Sequence, residues 1–232
     1  KVRGDINKSA DTSKWRELEK NLPPYLYDET GALKEWATTS FVENNKHRHL
    51  SHLYGVWPLF ETQGNEKLSN ACEQAIANRQ SENEASHALV HRSLIASRLK
   101  DSDSLTDALV KLMNHKIRYD SLMTNHDYDQ GSCYCTDFAI GYLGIINESL
   151  VYSHNNDIEF LPALPNSGFE NGTLKGIKTR NRATVTELKW ADGGKTISAT
   201  VTSDIDQKLN IKAGDKSQTV EFKAGESRTF RF

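Results

Sequence analysis

Phe138-Ala139-Ile140-Gly141-Tyr142-Leu143-Gly144-Ile145-Ile146-Asn147-Glu148-Ser149-Leu150-Val151 is followed, a few residues on, by Ile158-Glu159-Phe160-Leu161-Pro162-Ala163-Leu164-Pro165. The first stretch is apolar almost all round at helical spacing, which predicts a buried helix over residues 138–153. The second alternates with a period of two and ends in two prolines, which stiffen the chain. A change of period at one place marks a change of architecture. Helices should lie before it and strands after it, with the boundary near Asn155-Asn156-Asp157.

Upstream, the helical reading continues. Residues 66–79 place Leu68, Cys72, Ala75 and Ile76 on one face, and residues 85–99 carry Leu89, Leu94, Ile95 and Leu99. Residues 102–116 align Leu105, Leu109, Leu112 and Met113. A short helix over residues 12–20 should start at Thr12 or Ser13 and turn Trp15 and Leu18 inward. Pro23-Pro24 stops it, and Asp28-Glu29-Thr30-Gly31 is a turn signal. Helices connected in this way suggest hairpins packed in a bundle or toroid.

Downstream, Ile158–Phe160, Leu174–Ile177, Ala183–Leu188, Ile197–Val201, Leu209–Ile211, Val220–Phe222 and Thr229–Phe232 read as short strands. Asn171-Gly172, Asp192-Gly193-Gly194 and Ala213-Gly214-Asp215 separate them, so residues 156–232 should form a small antiparallel sandwich or sheet.

Composition narrows the function classes. The 232 residues carry 29 basic and 31 acidic side chains, a balance that argues against nucleic acid as a partner. A mean hydropathy of -0.65 leaves much polar surface, suited to a partner covered in hydroxyls. Cys72, Cys133 and Cys135 are too few for a disulfide framework, and Cys-x-Cys is not zinc-knuckle spacing. No apolar run is long enough to span a membrane. Lys1-Val2-Arg3-Gly4-Asp5 lacks the features of a signal peptide and reads like the middle of a longer polypeptide.

Two constellations can carry chemistry. His47-Arg48-His49-Leu50-Ser51-His52 holds three of the chain's eight histidines beside a guanidinium. Imidazole and guanidinium are planar hydrogen-bonding groups suited to sugar hydroxyls. The rival reading takes His47, His49 and His52 as zinc ligands, although no carboxylate nearby completes the set. The bland reading makes His47 and His52 loop scaffold. The second constellation is Asp137, placed directly before the apolar helix. There it can be a helix N-cap or a general base at the mouth of a pocket. His126 lies shortly before it. His87 and His91, spaced i,i+4 after Glu84, lack the metalloprotease pattern and read as core or polar-face residues. Trp36 and Trp57 could stack on a sugar but are more often core.

Several motifs together resemble glycoside hydrolase family 95, the inverting α-L-fucosidases and related α-L-galactosidases. Leu22-Pro23-Pro24-Tyr25, Gly31-Ala32-Leu33-Lys34-Glu35-Trp36 and His47-Arg48-His49-Leu50-Ser51-His52-Leu53-Tyr54-Gly55 occur in that family's order. Ser97-Arg98-Leu99-Lys100-Asp101 is similar to its Ala-Arg-Leu-x-Asp helix end. Asp137-x-x-x-Gly141 with Ile146-x-Glu148-x-Leu150 resembles its Asp-Gly-Asn-Phe-Gly…Ile-x-Glu-Met-Leu run, and Leu161-Pro162-Ala163-Leu164-Pro165 matches its exit from the helical domain.

The resemblance implies the closing part of an (α/α)6 toroid over residues 1–155 and a C-terminal β-domain over 156–232. It implies Asp137 as general base and Arg48, His49 and His126 as substrate-binding residues, with no metal and no cofactor. The substrate would be the terminal α-L-fucosyl or α-L-galactosyl unit of an oligosaccharide or polysaccharide, and the setting periplasmic or secreted. The general-acid glutamate lies in the family's preceding region, so this chain alone should be inactive. The chain departs from the pattern where Phe138-Ala139-Ile140 replaces Gly-Asn-Phe. It departs again where a Trp-Ser-x-Ala-Trp-Lys helix is replaced around His87, His91 and Arg92. A degenerate relative that binds glycan without cleaving it is the alternative.

Overall fold

The computed structural model describes residues 10–79, 85–113, 124–126 and 133–232. The N-terminal Lys1–Asp5 segment, Glu84 and residues 114–116 of the expected third helix lie outside the described residues. The helical part comprises α1 (Ser13–Lys20), a 3-10 turn at Ser51–Gly55, α2 (Glu66–Asn78), α3 (Ser86–Leu99), α4 (Ser102–Leu112) and α5 (Thr136–Leu150).

Local chemistry sets the helix ends. The Asn65 side chain accepts from the Leu68 amide at the start of α2, and Asp101 accepts from the Ser104 amide at the start of α4. Between α3 and α4, Lys100 takes a left-handed conformation with φ 63°, which reverses the chain into a helical hairpin.

α3 is the keystone. Its Leu89, Val90 and Leu94 pack with Leu105, Leu109 and Leu112 of α4 and Phe138 and Ile145 of α5. Its Ile95 and Leu99 pack the other way, against Leu68, Cys72 and Ile76 of α2 and Leu50, Leu53 and Val56 around the 3-10 turn. A helix buried on two sides needs its polar groups satisfied internally. The Ser93 and Ser97 hydroxyls donate to the carbonyls of Leu89 and Ser93, one turn back.

Three expectations for the helices fail. Trp15 and Leu18 are 53% and 54% exposed, and no residue of α1 is buried. The amphipathic pattern is real, but nothing in the described chain covers that face. α5 is not buried all round either: Ile140 and Leu143 stand 73% and 69% exposed. It also ends at Leu150, before the expected residue 153. Val151–His154 forms strand β1 instead, paired antiparallel with β2 (Asp157–Phe160) through a turn in which Asn155 has φ 49°. Backbone pairing with β2 outcompetes one more helical turn at this β-branched and aromatic sequence.

The remaining strands are β3 (Gly172–Leu174), β4 (Ile177–Lys178), β5 (Ala183–Ala191), β6 (Thr196–Ser203), β7 (Gln207–Ala213), β8 (Lys216–Phe222) and β9 (Ser227–Arg231). They form two sheets, ordered β1-β2-β7-β8 and β3-β5-β6-β9, with β4 also on β5. One core fills the space between them, including Ile158, Phe160, Val185, Leu188, Val201, Leu209 and Ile211. The fold is therefore helices followed by a sandwich-like β region. The expected all-antiparallel pairing needs one correction: β2 runs parallel to β7.

Gly172 is required by packing rather than by its φ. A Cβ there would overlap the six-membered ring of Trp190, whose Nε1 donates to the Phe169 carbonyl at 2.7 Å. Gly172→Ala should therefore cost about 1–3 kcal/mol, read as a lowered urea midpoint. An unchanged midpoint would mean that the indole moves freely.

The two parts are joined by the proline-rich connector. The Leu161 amide donates to the Leu150 carbonyl and the Ala163 amide to the Ser149 carbonyl. The Asn166 amide reaches Thr106 Oγ1 on α4. Beside this seam Glu148 pairs with Arg98 at 2.9 Å and also with Arg180, and Lys100 pairs with Glu159.

Candidate functional site

The cleft that brings the sequence candidates together has a volume of about 780 Å³. Three segments build it. The loop and 3-10 turn give His47, His49, Tyr54 and Trp57; α3 gives His87 and His91; α5 gives Thr136, Asp137 and Gly141. The helices meet closely here. A Cβ at Gly141 would sit 2.7 Å from Val90 Cγ1, so this glycine lets α5 approach α3. That approach places the first turn of α5 opposite the first turn of α3.

Asp137 is not the helix cap. Cys135 holds that position, with no side-chain capping bond, and Asp137 follows in the first helical turn. Its side chain is 58% exposed into the cleft, and its Oδ1 lies 3.3 Å from His87 Nδ1. Its other oxygen has the buried Cys135 thiol 4.0 Å away. Among the described residues that line the cleft, Asp137 is the sole carboxylate.

The imidazoles form a row. His47 and His49 have ring centroids 4.8 Å apart, and His49 meets His87 edge-on at 5.4 Å. Burial holds His49 below the ordinary histidine range, helped by the positive charge of Arg48 and the neighbouring His47, His87 and His91. Burial also holds His91 down, against a hydrogen bond with the Trp57 backbone that favours its charged form. Neutral imidazoles offer one donor and one acceptor each, the pairing that a sugar hydroxyl needs.

The other candidates lie elsewhere. Arg48 does not line the cleft, and its Nε is buried without a hydrogen-bond partner. His126 does not line it among the described residues. Its carbonyl accepts from the Ser86 amide at 2.7 Å, at the start of α3, and its amide donates to Cys133. His52 is taken up by Arg79, whose Nη2 lies 3.4 Å from its Nδ1. Among the described residues no group of three His, Cys, Asp or Glu side chains stands close enough to hold a metal ion. Sequence reasoning passed over His87, because i,i+4 spacing on a helix does not reveal which face meets a neighbouring helix.

Burial pushes the pKa of His52 down to about 4. The unfolded chain therefore takes up this proton first as pH falls. The stabilisation from neutral His52 is complete above pH about 6.5 and is lost as pH falls toward about 4. It amounts to something on the order of 3 kcal/mol. Urea midpoints should drop across this window, and less steeply for His52→Asn. Parallel slopes for the two proteins would remove His52 as the cause.

Comparison with known proteins places the chain. The family model "Glycosyl hydrolase family 95 catalytic domain" matches residues 4–150, and "Glycoside hydrolase family 95, C-terminal domain" matches residues 152–231. The chain belongs to glycoside hydrolase family 95. Among curated members of family 95, Alpha-L-fucosidase 2 of Arabidopsis thaliana is 29% identical over 81% of this chain and 23% of its own length. Probable alpha-fucosidase A of Aspergillus niger is 26% identical over 94% of the chain and 28% of its own length. This family 95 chain thus spans about a quarter of the curated relatives it matches. A solved structure, a putative kojibiose phosphorylase from human microbiome, superposes with a TM-score of 0.55 at 13% identity. It covers 97% of this chain and 36% of its own, a likeness of fold.

Proposed function

We propose that this chain supplies the base side of an inverting exo-glycosidase that hydrolyses terminal α-L-fucosyl or related α-L-galactosyl units of glycans. In this reading Asp137 deprotonates the attacking water, and His49 accepts and donates hydrogen bonds to sugar hydroxyls. The observation that carries it is the placement of Asp137, the sole carboxylate among the described cleft-lining residues, half open to a cleft walled by His47, His49, His87 and Tyr54. Arg48, next to His49 in the chain, and His126, whose carbonyl accepts from the Ser86 amide of α3, are assigned to the substrate side on the family pattern alone.

Inversion needs an acid and a base about 6.5–9.5 Å apart, with water between them. The acid would come from polypeptide outside this chain, a reading supported by the quarter-length match to the curated relatives. The helices would then be the closing part of an (α/α)6 toroid. A glycan substrate favours a periplasmic or secreted setting. No helix among the described residues is long and apolar enough to cross a membrane.

The test is Asp137→Asn in the full-length polypeptide, assayed on aryl α-L-fucosides and α-L-galactosides. Loss of turnover with retained binding supports the reading. A wild-type protein that binds these glycans without turnover would instead be the non-catalytic relative.

A further inference from the structure

We propose that His87 is the positioning residue of Asp137: its Nδ1–H holds Oδ1 and leaves Oδ2 as the oxygen that takes the proton from water. The inference rests on the reading of Asp137 as base and goes beyond it, because it assigns a partner that the family motifs do not supply. It concerns the stretch around His87, where this chain departs from the family's tryptophan-rich helix.

Three observations carry it. First, the pair is in contact, with Nδ1 3.3 Å from Oδ1, and both side chains are open to the cleft. Catalytic hydrogen bonds in unliganded sites are often this long and tighten when substrate excludes water. Second, the contact is set by helix packing. His87 stands in the first turn of α3 and Asp137 in the first turn of α5, and Val90 packs where Gly141 leaves no Cβ. Buried Leu89, Val90, Leu94, Phe138 and Ile145 fix the two helices beneath it. Third, the His87 ring also meets His49, edge-on at 5.4 Å. The ring therefore touches both the base and a side chain that lines the cleft. A carboxylate with one oxygen held keeps the other in a fixed direction, and directional placement of a base is worth large rate factors.

The titratable groups around His87 among the described residues are few. Asp137 meets it from α5 and His49 from the loop, and His91 stands one turn along α3. Asp137 is the one anion among these, and Nδ1 of His87 is the nitrogen that faces it.

The test has two arms. Imidazole ¹⁵N NMR of this chain in alkaline buffer should find the His87 proton on Nδ1 in the wild type and shifted toward Nε2 in Asp137→Ala. A wild-type His87 with its proton on Nε2 would overturn the proposal whatever the activity. In the full-length polypeptide, His87→Ala should lower kcat roughly 10- to 100-fold with little change in KM. His87→Asn, whose amide can donate from near the Nδ1 position, should restore most of it. A change in KM alone, or none, would make His87 a wall of the sugar pocket and overturn the positioning role. If the wild-type polypeptide turns over no aryl glycoside, the glycosidase reading falls separately, and the tautomer of His87 decides on its contact with Asp137.

Discussion

Asp137→Asn should reduce the turnover of the full-length polypeptide by about 10²- to 10⁴-fold while glycan binding changes little. The substitution is nearly isosteric, so packing gives no reason for a larger disturbance. Asp137 follows Cys135 and Thr136 at the open end of α5, is more than half exposed, and contributes nothing to the buried cluster that Phe138 and Ile145 help to form. What the amide lacks is proton affinity. An asparagine Oδ1 can still orient a water molecule but cannot remove its proton. The KM–kcat split is therefore diagnostic, since a base acts in the transition state and a wall residue acts on binding. Asp137→Glu sharpens the test. It keeps the chemistry but moves the carboxylate by one methylene, away from its contact with His87. Its activity should fall between wild type and Asp137→Asn. Turnover close to wild type in Asp137→Asn would sink the assignment of the base and move the search to carboxylates outside this chain.

The legible part of the fold was its periodicity. The 3-4 spacing of Leu68, Cys72, Ala75 and Ile76 gave α2, and the strands from Ala183 to Phe222 followed their alternation. What periodicity misses is what a face packs against. The face of α1 with Trp15 and Leu18 has the spacing of a buried helix but no cover in the described chain. Ile140 and Leu143 made α5 look buried all round for the same reason. The site divides in the same way. His49 and Asp137 were visible because motifs mark them, whereas His87 became visible only once α3 and α5 were side by side. Motifs also mark residues that hold the frame. Arg98 and Glu148, fifty positions apart in two different motifs, form one buried ion pair, and neither lines the cleft.

Glu148→Ala should cost about 3–5 kcal/mol, measured as a loss of unfolding free energy in urea. Glu148 is nearly buried and joins two cations from different parts of the chain, Arg98 on α3 and Arg180 after β4. The Arg98 side chain is only 1% exposed. Its guanidinium lies 3.6 Å from the centre of the Phe60 ring and 4.6 Å from that of Trp57, and its Nη1 donates to the Leu59 carbonyl at 2.7 Å. Burial acts against its positive charge, and Glu148 counters that most strongly. Removing the carboxylate therefore strands a charge that cannot reach water, which costs more than the pair itself contributes. Arg98 Nη2 already has no partner, so little hydrogen-bonding reserve is left nearby. The double variant Arg98→Met with Glu148→Gln tests that account. It removes both charges at similar volume and should be more stable than Glu148→Ala alone. If the double variant loses the sum of the two single losses, the cost lies in lost packing over Phe60 and not in the stranded charge. A loss below about 1 kcal/mol for Glu148→Ala would mean that water reaches Arg98 once the carboxylate is gone.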